Sequence, residues 1–248
     1  MFASLLTGAG LLGLIAFTEV RQEARRVEDI RIRMDEIDGH RFLNRNDVLR
    51  SLTRQDADPI AGTSLTEIDL KVLEKRLRQN GYISRAQVYR DLQGNLVAEI
   101  EQQRPLARLV GESEEELSSG SGRYLSEEGT WFPLSLNYTA RVPVLSGAYF
   151  ENRKPLTGEK DKDLVELLKW IRADPFWKAQ IAQVRVDSNR EVTLLPQVGE
   201  HLIEIGQPTD LSAKFDKLKL FYKHILSRPE GSRYRRVSVQ YRNQIVCE

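Results

Sequence analysis

Cysteine is nearly missing from this 248-residue sequence: Cys247 stands alone, one residue from the end. One thiol excludes an internal disulfide framework, so an extracytoplasmic body would have to hold itself together by packing. Histidine is scarce as well. His40, His201 and His224 are too scattered to give a metal-binding spacing, and no cysteine pair supplements them. A surplus of charge of one sign is also lacking, since 37 Lys and Arg face 36 Asp and Glu for a net +1. There is thus no bulk drive toward nucleic acid or acidic lipid, and a nucleic-acid partner is not expected. Mean hydropathy of -0.45 and 29% charged residues describe a globular body that can bury a core.

Long uncharged runs are confined to the start, "MFASLLTGAGLLGLIAFTEV", where the first charged side chain is Glu19. Residues 1–20, with Phe2 to Val20 as the apolar stretch, match the ~20 residues a helix needs to cross a bilayer and are read as a transmembrane anchor. A cleaved signal peptide would want a cationic beginning and a small-x-small cleavage site, neither of which is visible. A buried globular helix is the other alternative. Ser4 with Gly8, and Ala9 with Gly13, are small-residue pairs that would let a second membrane helix approach. "GAGLLG", Gly8 to Gly13, matches G-x-G-x-x-G in letters only, because no strand precedes it. Arg21, Arg25 and Arg26 follow the run and nothing basic precedes it, so local charge alone would place the body in the cytoplasm. A natural start upstream of this Met would supply the missing basic residues.

From Val27 the body has readable units. In "VEDIRIRMD", Ile30, Ile32 and Met34 alternate with Asp29, Arg31 and Arg33, a strand pattern. "LNRNDVLRSL" offers Asn44 as an N-cap with Asp47 three residues on, and "IDLKVLEKRLRQNG" places Leu70, Leu73 and Leu77 on one helical face before an Asn80-Gly81 stop. "SRAQVYRDL" and "NLVAEIEQ" read as two strands around a two-residue turn at Gly94. The order β-α-α-β-β predicts a compact domain over 27–104, its leucine stripes buried against Ile30, Ile32, Val88 and Ile100 of a three-stranded sheet.

Pro105 marks the next boundary, and 105–248 reads as a second, mainly antiparallel β domain with two helices, giving an α+β fold overall. Strand signals lie in "QQRPLARLVGE", "GRYLSEEGTWF", "YTARVPVLSG", "IAQVRVDS", "REVTLLPQVG" and "HLIEIGQ". Between the first two, Gly111 to Gly122 is acidic and Gly/Ser-rich, a solvated hairpin tip or an acidic docking site. "DKDLVELLKWIRADPFW" carries Leu164, Leu167, Leu168 and Ile171 at helical spacing, with Pro175 ending the run. "PTDLSAKFDKLKLFYKHIL" is the last helix, capped by Thr209 or Asp210, with Leu211, Phe215, Leu218, Phe221 or Tyr222, and Ile225 inward. The chain then ends in "YRRVSVQYRNQIVCE". Val237, Val239, Tyr241, Ile245 and Cys247 share one parity, while Arg236, Ser238, Gln240, Arg242 and Gln244 share the other. This predicts one long last strand at a sheet edge, its unpaired N–H and C=O groups blunted by arginines or paired with something else.

Catalytic constellations are not evident. Glu127 and Glu128 are neighbours whose side chains should diverge, and Cys247 with His224 is weaker as a nucleophile-base pair than Cys247 is as a packing residue. "NYT" at Asn137 matches a glycosylation sequon without a supporting context. Trp131, Trp170, Trp177, Phe176 and Phe221 are a groove lining or, more simply, core. No cofactor is expected.

The anchor, the β-α-α-β-β unit and the ordered motifs "QQRPLARL", "YLSEEGTWFPLS", "YTARVPVLSG", "DPFWKAQI", "LLPQVGEHLIEIG", "KFDKLKLFYKHIL" and "YRRVSVQYRNQIVCE" together resemble the FtsQ/DivIB family of cell division proteins, in the form found in the Bacteroidota. The resemblance covers almost the whole chain. It implies a single-pass protein of the cell inner membrane with a cytoplasmic N-terminus and a periplasmic body, made of a POTRA domain and a β domain. It implies no enzymatic activity but a divisome scaffold that binds FtsB-like and FtsL-like proteins, with FtsK, FtsW and FtsI-type proteins as further partners, and so helps recruit and regulate septal peptidoglycan synthesis. In such proteins a segment of FtsB adds to the last strand of the β domain. By this resemblance Gln240, Tyr241, Arg242, Asn243, Gln244 and Ile245 are the partner-binding residues, with Tyr241 as anchor. Tyr241 falls where the family has an Arg-Tyr pair, yet Gln240 precedes it and Arg242 follows; parity would turn Arg242 away, and Tyr241 itself also fits a core position. Ser126 in "YLSEEG" stands where the family often has Asp, a turn variation. A POTRA-bearing adaptor for secretion or envelope assembly would share the first domain, and a periplasmic cell-wall enzyme would need a catalytic constellation.

Overall fold

The computed structural model describes residues 26–110, 122–152, 154–228 and 231–248. The expected anchor at 1–20 and most of the acidic hairpin tip, 111–121, lie outside them. Among the described residues no helix is long and apolar enough to cross a membrane. The chain divides into two compact units, the first ending at Gln103 and the second running Arg104–Glu248.

In the first unit, strand β1 (Ile30–Met34) is followed by helices α1 (Arg45–Leu52) and α2 (Leu70–Arg78), then strands β2 (Ile83–Arg90) and β3 (Leu96–Gln102). Helix α1 starts in the capping box its sequence suggests: Asn44 Oδ1 accepts from Asp47 N at 3.0 Å and Asp47 Oδ2 accepts from Asn44 N at 2.9 Å. Asp69 caps α2 by accepting from Lys71 N and Val72 N. The sheet order is β1-β3-β2, with β1 parallel to the central β3 and β2 antiparallel to it. Leu52, Leu73 and Leu77 are buried with Ile30, Val88 and Ile100, and Ile32 packs partly buried against them. The β2–β3 connection is longer than two residues. Gly94, at φ 91°, sits in a turn in which Gly94 N donates to Asp91 O and Asp91 N donates to Asn95 O, while the Asp91 carboxylate also accepts from Asn95 N.

The second unit is built on a nine-stranded sheet. In chain order its strands are β4 (Pro105–Leu109), β5 (Arg123–Ser126), β6 (Trp131–Pro133), β7 (Val144–Ser146), β8 (Ile181–Val186), β9 (Val192–Pro196), β10 (Leu202–Gly206), β11 (Arg236–Ser238) and β12 (Val246–Cys247). Their spatial order is β12-β11-β10-β9-β8-β7-β4-β5-β6. The sheet is mainly antiparallel, in β4–β5, β5–β6, β8–β9, β9–β10 and β11–β12, but mixed, because β4–β7, β7–β8 and β10–β11 pair parallel. Parallel neighbours need a crossover. Helices α3 (Lys162–Ala173) and α4 (Pro175–Gln180) supply it between β7 and β8, and α5 (Leu211–Phe221) supplies it between β10 and β11.

The described residues of this unit thus hold three α-helices where two are expected, since Pro175 does not simply end a helix. Asp174 caps a new one, accepting from Phe176 N at 2.9 Å, with Pro175 at its first position, where a missing N–H is no loss. Asp210 precedes α5 with a left-handed backbone and no side-chain cap bond. Past Phe221 the chain continues as a π-turn over Tyr222–Leu226. The core gathers Leu164, Leu168, Trp177, Val184, Phe215 and Phe221, among others. Trp170 and Phe176 are not core residues proper, being 40% and 44% exposed, although Trp170 stacks on Phe215. Ser126 is buried at the β5–β6 turn, its hydroxyl 2.9 Å from that of Thr130.

The largest departure is at the C-terminus. The terminal stretch is not one strand but a hairpin. Val237 and Val239 are fully buried as the alternation requires, and so is Ser238, on the parity expected to face solvent. After Val239 the chain leaves the ladder, turns through Tyr241–Asn243, and returns as β12 antiparallel to β11. Asn243 takes φ 57°, a left-handed conformation that Asn tolerates better than most residues. Asn243 also shares the parity of Tyr241 and Ile245, so the apolar alternation is interrupted at the residue that makes the turn possible.

Candidate functional site

β12 is a border strand of the large sheet. Its hold on β11 is fixed by backbone bonds: Glu248 N donates to Arg236 O at 3.0 Å and Arg236 N donates to Glu248 O at 3.1 Å. That exchange makes Arg236–Glu248 a hydrogen-bonded pair. The next pair, Val237–Cys247, is then a non-bonded one, and the alternation of an antiparallel ladder turns the N–H and C=O of Cys247 outward. Ion pairs of Arg236 with Glu204 and of Arg235 with Glu200 secure β11 from its other side.

Beside this border lies a groove of about 540 Å³ between α5 and the hairpin turn. All six residues named from the sequence, Gln240 to Ile245, line it, with Ala213, Lys217 and Leu220 opposite. Tyr241 is 50% exposed and so is not a core residue; leaving the ladder frees its ring from strand parity. Arg242, Asn243 and Gln244 are exposed, Gln240 is half-buried, and Ile245 packs partly against the core. Since Tyr241–Asn243 form a turn, the expected opposition of Tyr241 and Arg242 across a strand does not apply.

Sequence reasoning missed the α5 wall of the groove. Its signal was the i, i+4, i+7 set Ala213, Lys217 and Leu220, a face distinct from the Phe215 and Leu218 stripe, with Leu220 54% exposed. Lys217 Nζ donates to the carbonyls of Val239 and Tyr241, both at 2.5 Å, and Lys214 Nζ donates to Gln207 O at 2.6 Å. Burial lowers the pKa of both lysines, for Lys214 against the raising influence of Asp210.

The weaker chemical candidates have structural explanations. Glu127 pairs with Arg172 at 3.0 Å. Burial pushes the Cys247 thiol up, away from the thiolate a nucleophile needs. His201 is buried with Nε2 3.0 Å from the Tyr222 hydroxyl, whereas His40 and His224 are exposed. Among the described residues no group of three or more His, Cys, Asp or Glu could hold a metal ion.

Comparison with known proteins agrees with this architecture. Residues 25–101 match the model of the POTRA-like domain, and residues 104–248 match the model described as FtsQ/DivIB, C-terminal related. A curated relative, the Cell division protein FtsQ of Geotalea daltonii, is 24% identical over 210 residues, covering 81% of this chain and 72% of its own length. A POTRA-like unit followed by a β-rich unit whose whole length matches that C-terminal model makes this chain a cell division protein belonging to the FtsQ/DivIB family.

Proposed function

We propose that the chain is a non-enzymatic scaffold of the bacterial divisome, held in the inner membrane by residues 2–20 with its body in the periplasm. Its β12 border receives an added strand from an FtsB-like protein, itself joined to an FtsL-like protein, and this complex helps recruit and regulate septal peptidoglycan synthesis. The observation that carries the reading is the outward-facing Cys247 backbone beside a groove lined by Gln240 to Ile245. In strand addition main-chain bonds supply affinity and side-chain pockets supply choice. The border is short, so main chain alone is insufficient: two bonds at about 1 kcal/mol each fall well below the roughly 8 kcal/mol of a micromolar complex. Side chains have to supply the difference, and Tyr241, aromatic and half-exposed at the groove, is the anchor.

The test is binding of the chain to the periplasmic part of the cognate FtsB-like protein, alongside Tyr241→Ala and a truncation after Gln244. The cut leaves β11 in place, where removal of Val237 and Val239 would open the core. Wild type binding with loss in both folded variants supports strand addition at β12. Equal binding by all three would move the partner surface elsewhere. A periplasmic reporter fused after Glu248 checks the orientation, and cytoplasmic activity would count against it.

A further inference from the structure

The first unit carries a groove of a different character, an open hollow of about 610 Å³ between the end of α1 and the outer face of α2. Arg50, Arg54, Lys75 and Arg76 line it with neutral neighbours such as Gln55 and Gln79, and no carboxylate does. Two of the four cations are held in place. Arg50 pairs with Asp47 at 2.7 Å, while Arg76 pairs with Asp58 at 2.5 Å and donates to Leu52 O at 2.9 Å. Arg54 and Lys75 are exposed and have no acidic partner among the described residues.

The backbone here is strained. Arg54, Gln55 and Asp56 are three successive non-glycine residues at φ 52°, 60° and 68°. Left-handed conformations of this kind persist only where the surroundings impose them, and they cluster at functional sites. The run is held by Gln55 N donating to Arg50 O, by Asp56 N donating to Thr53 Oγ1 and by Asp58 N donating to Thr53 O. It belongs to the α1–α2 connection, the same connection against which the chain enters the unit. Val27 N donates to Thr63 O at 3.0 Å, Gly62 N donates to Val27 O at 3.0 Å, and Arg26 Nη1 donates to Gly62 O at 2.9 Å.

Position selects the ligand. The stretch read as the anchor ends at Val20, and the residues between it and Arg26, which include Arg21 and Arg25, can span at most roughly 20 Å when fully extended. If that run is the anchor, the α1–α2 connection is tethered near the bilayer surface. We propose that the groove of Arg50, Arg54, Lys75 and Arg76 engages the phosphate groups of anionic phospholipids. This inference rests on the membrane-anchor reading. Guanidinium groups match phosphate in a forked, two-bond geometry, and basic residues close to a membrane add their attraction locally even where the net charge is near zero. The groove would hold the first unit against the membrane.

The test reconstitutes the full chain into nanodiscs of phosphatidylcholine alone and of phosphatidylcholine with phosphatidylglycerol, and follows amide hydrogen exchange over 50–57 and 72–80. Exchange should slow several-fold in the phosphatidylglycerol discs only. The protection should disappear in the Arg54→Glu/Lys75→Glu double variant, whose two positions are exposed, and at high salt. Equal exchange in both lipids, or protection that survives the double substitution, overturns the proposal. Protection by an added polyglutamate peptide but not by phosphatidylglycerol overturns it too, in favour of an acidic protein partner. Incorporation into discs is scored separately. If it fails, the anchor reading falls, and the same exchange is followed with vesicles of the two compositions added to the chain; slowing by phosphatidylglycerol then still supports the groove, and no slowing overturns it.

Discussion

Lys217 Nζ lies 2.5 Å from the carbonyl oxygen of Tyr241, so the last helix holds the turn that presents the candidate anchor. A second bond, to Val239 O, spans the point where the chain leaves the ladder. Lys217→Met keeps an unbranched side chain one atom shorter and removes both hydrogen bonds. The expected loss is about 1–3 kcal/mol, as for hydrogen bonds from a charged group, read as a lower urea midpoint at unchanged slope. Affinity for the proposed FtsB-like partner should fall with it, because Tyr241 is no longer fixed. An unchanged midpoint together with unchanged affinity would show that the turn holds itself.

Proline scanning of β12 separates its two backbone faces. The Cys247 N–H points outward, so Cys247→Pro removes a donor that the hairpin does not use, at a border position where proline is tolerated. Val246 pairs with Ser238 in the hydrogen-bonded register, so Val246→Pro removes a ladder bond. The first variant should melt near wild type yet bind the partner about fivefold more weakly, the worth of one hydrogen bond at about 1 kcal/mol. The second should lose stability. Equal destabilisation by both would mean that the outward face is assigned wrongly.

The particular residues explain how much of this was legible beforehand. Where signals were local, sequence and structure agree: the Asn44/Asp47 box, the Leu73 and Leu77 stripe and the alternation from Ile30 to Met34 each depend on neighbours within a few positions. Tertiary pairings were less legible. The parallel pairs β7–β8 and β10–β11 follow from two helical crossovers visible in the sequence, but the strand order that makes them neighbours is not a local property. At the terminus, period-2 alternation was extended across Asn243, although a polar residue able to take a left-handed φ on the apolar parity is a turn signal. A continuous strand would put Gln240 to Ile245 along the sheet edge, whereas the structure puts them on a turn that lines a groove. Lys217 and Leu220 lie on a helix some twenty residues earlier, and nothing local tied them to Tyr241.

In the first unit, Gln102 is the polar side chain on which most backbone groups depend. It is buried at the end of β3, accepts from Phe42 N at 2.8 Å and Leu43 N at 3.2 Å, and donates to Asp35 O at 2.7 Å. Gln102→Leu fits the volume but orphans these groups, each at about 1–3 kcal/mol when buried. The expected destabilisation is about 3 kcal/mol or more, whereas Gln93→Leu in the exposed turn should leave stability within about 0.5 kcal/mol of wild type. Comparable denaturation midpoints for the two variants would contradict the role given to Gln102.

His201 makes stability depend on mild acid. Its ring is buried against Phe221 and Tyr222, and desolvation holds its pKa below the usual histidine value. In the unfolded chain the same ring titrates near 6.5, so between that pH and its lower folded pKa the unfolded state binds the extra proton. Stability contributed by the neutral ring is therefore complete above about pH 6.5 and is lost as pH falls toward the folded pKa. His201→Gln can still hydrogen-bond the Tyr222 hydroxyl but carries no titrating group. Between pH 7 and 5 its melting temperature should decline less steeply than that of wild type, even if it starts lower. Parallel declines would assign the acid sensitivity to carboxylates instead.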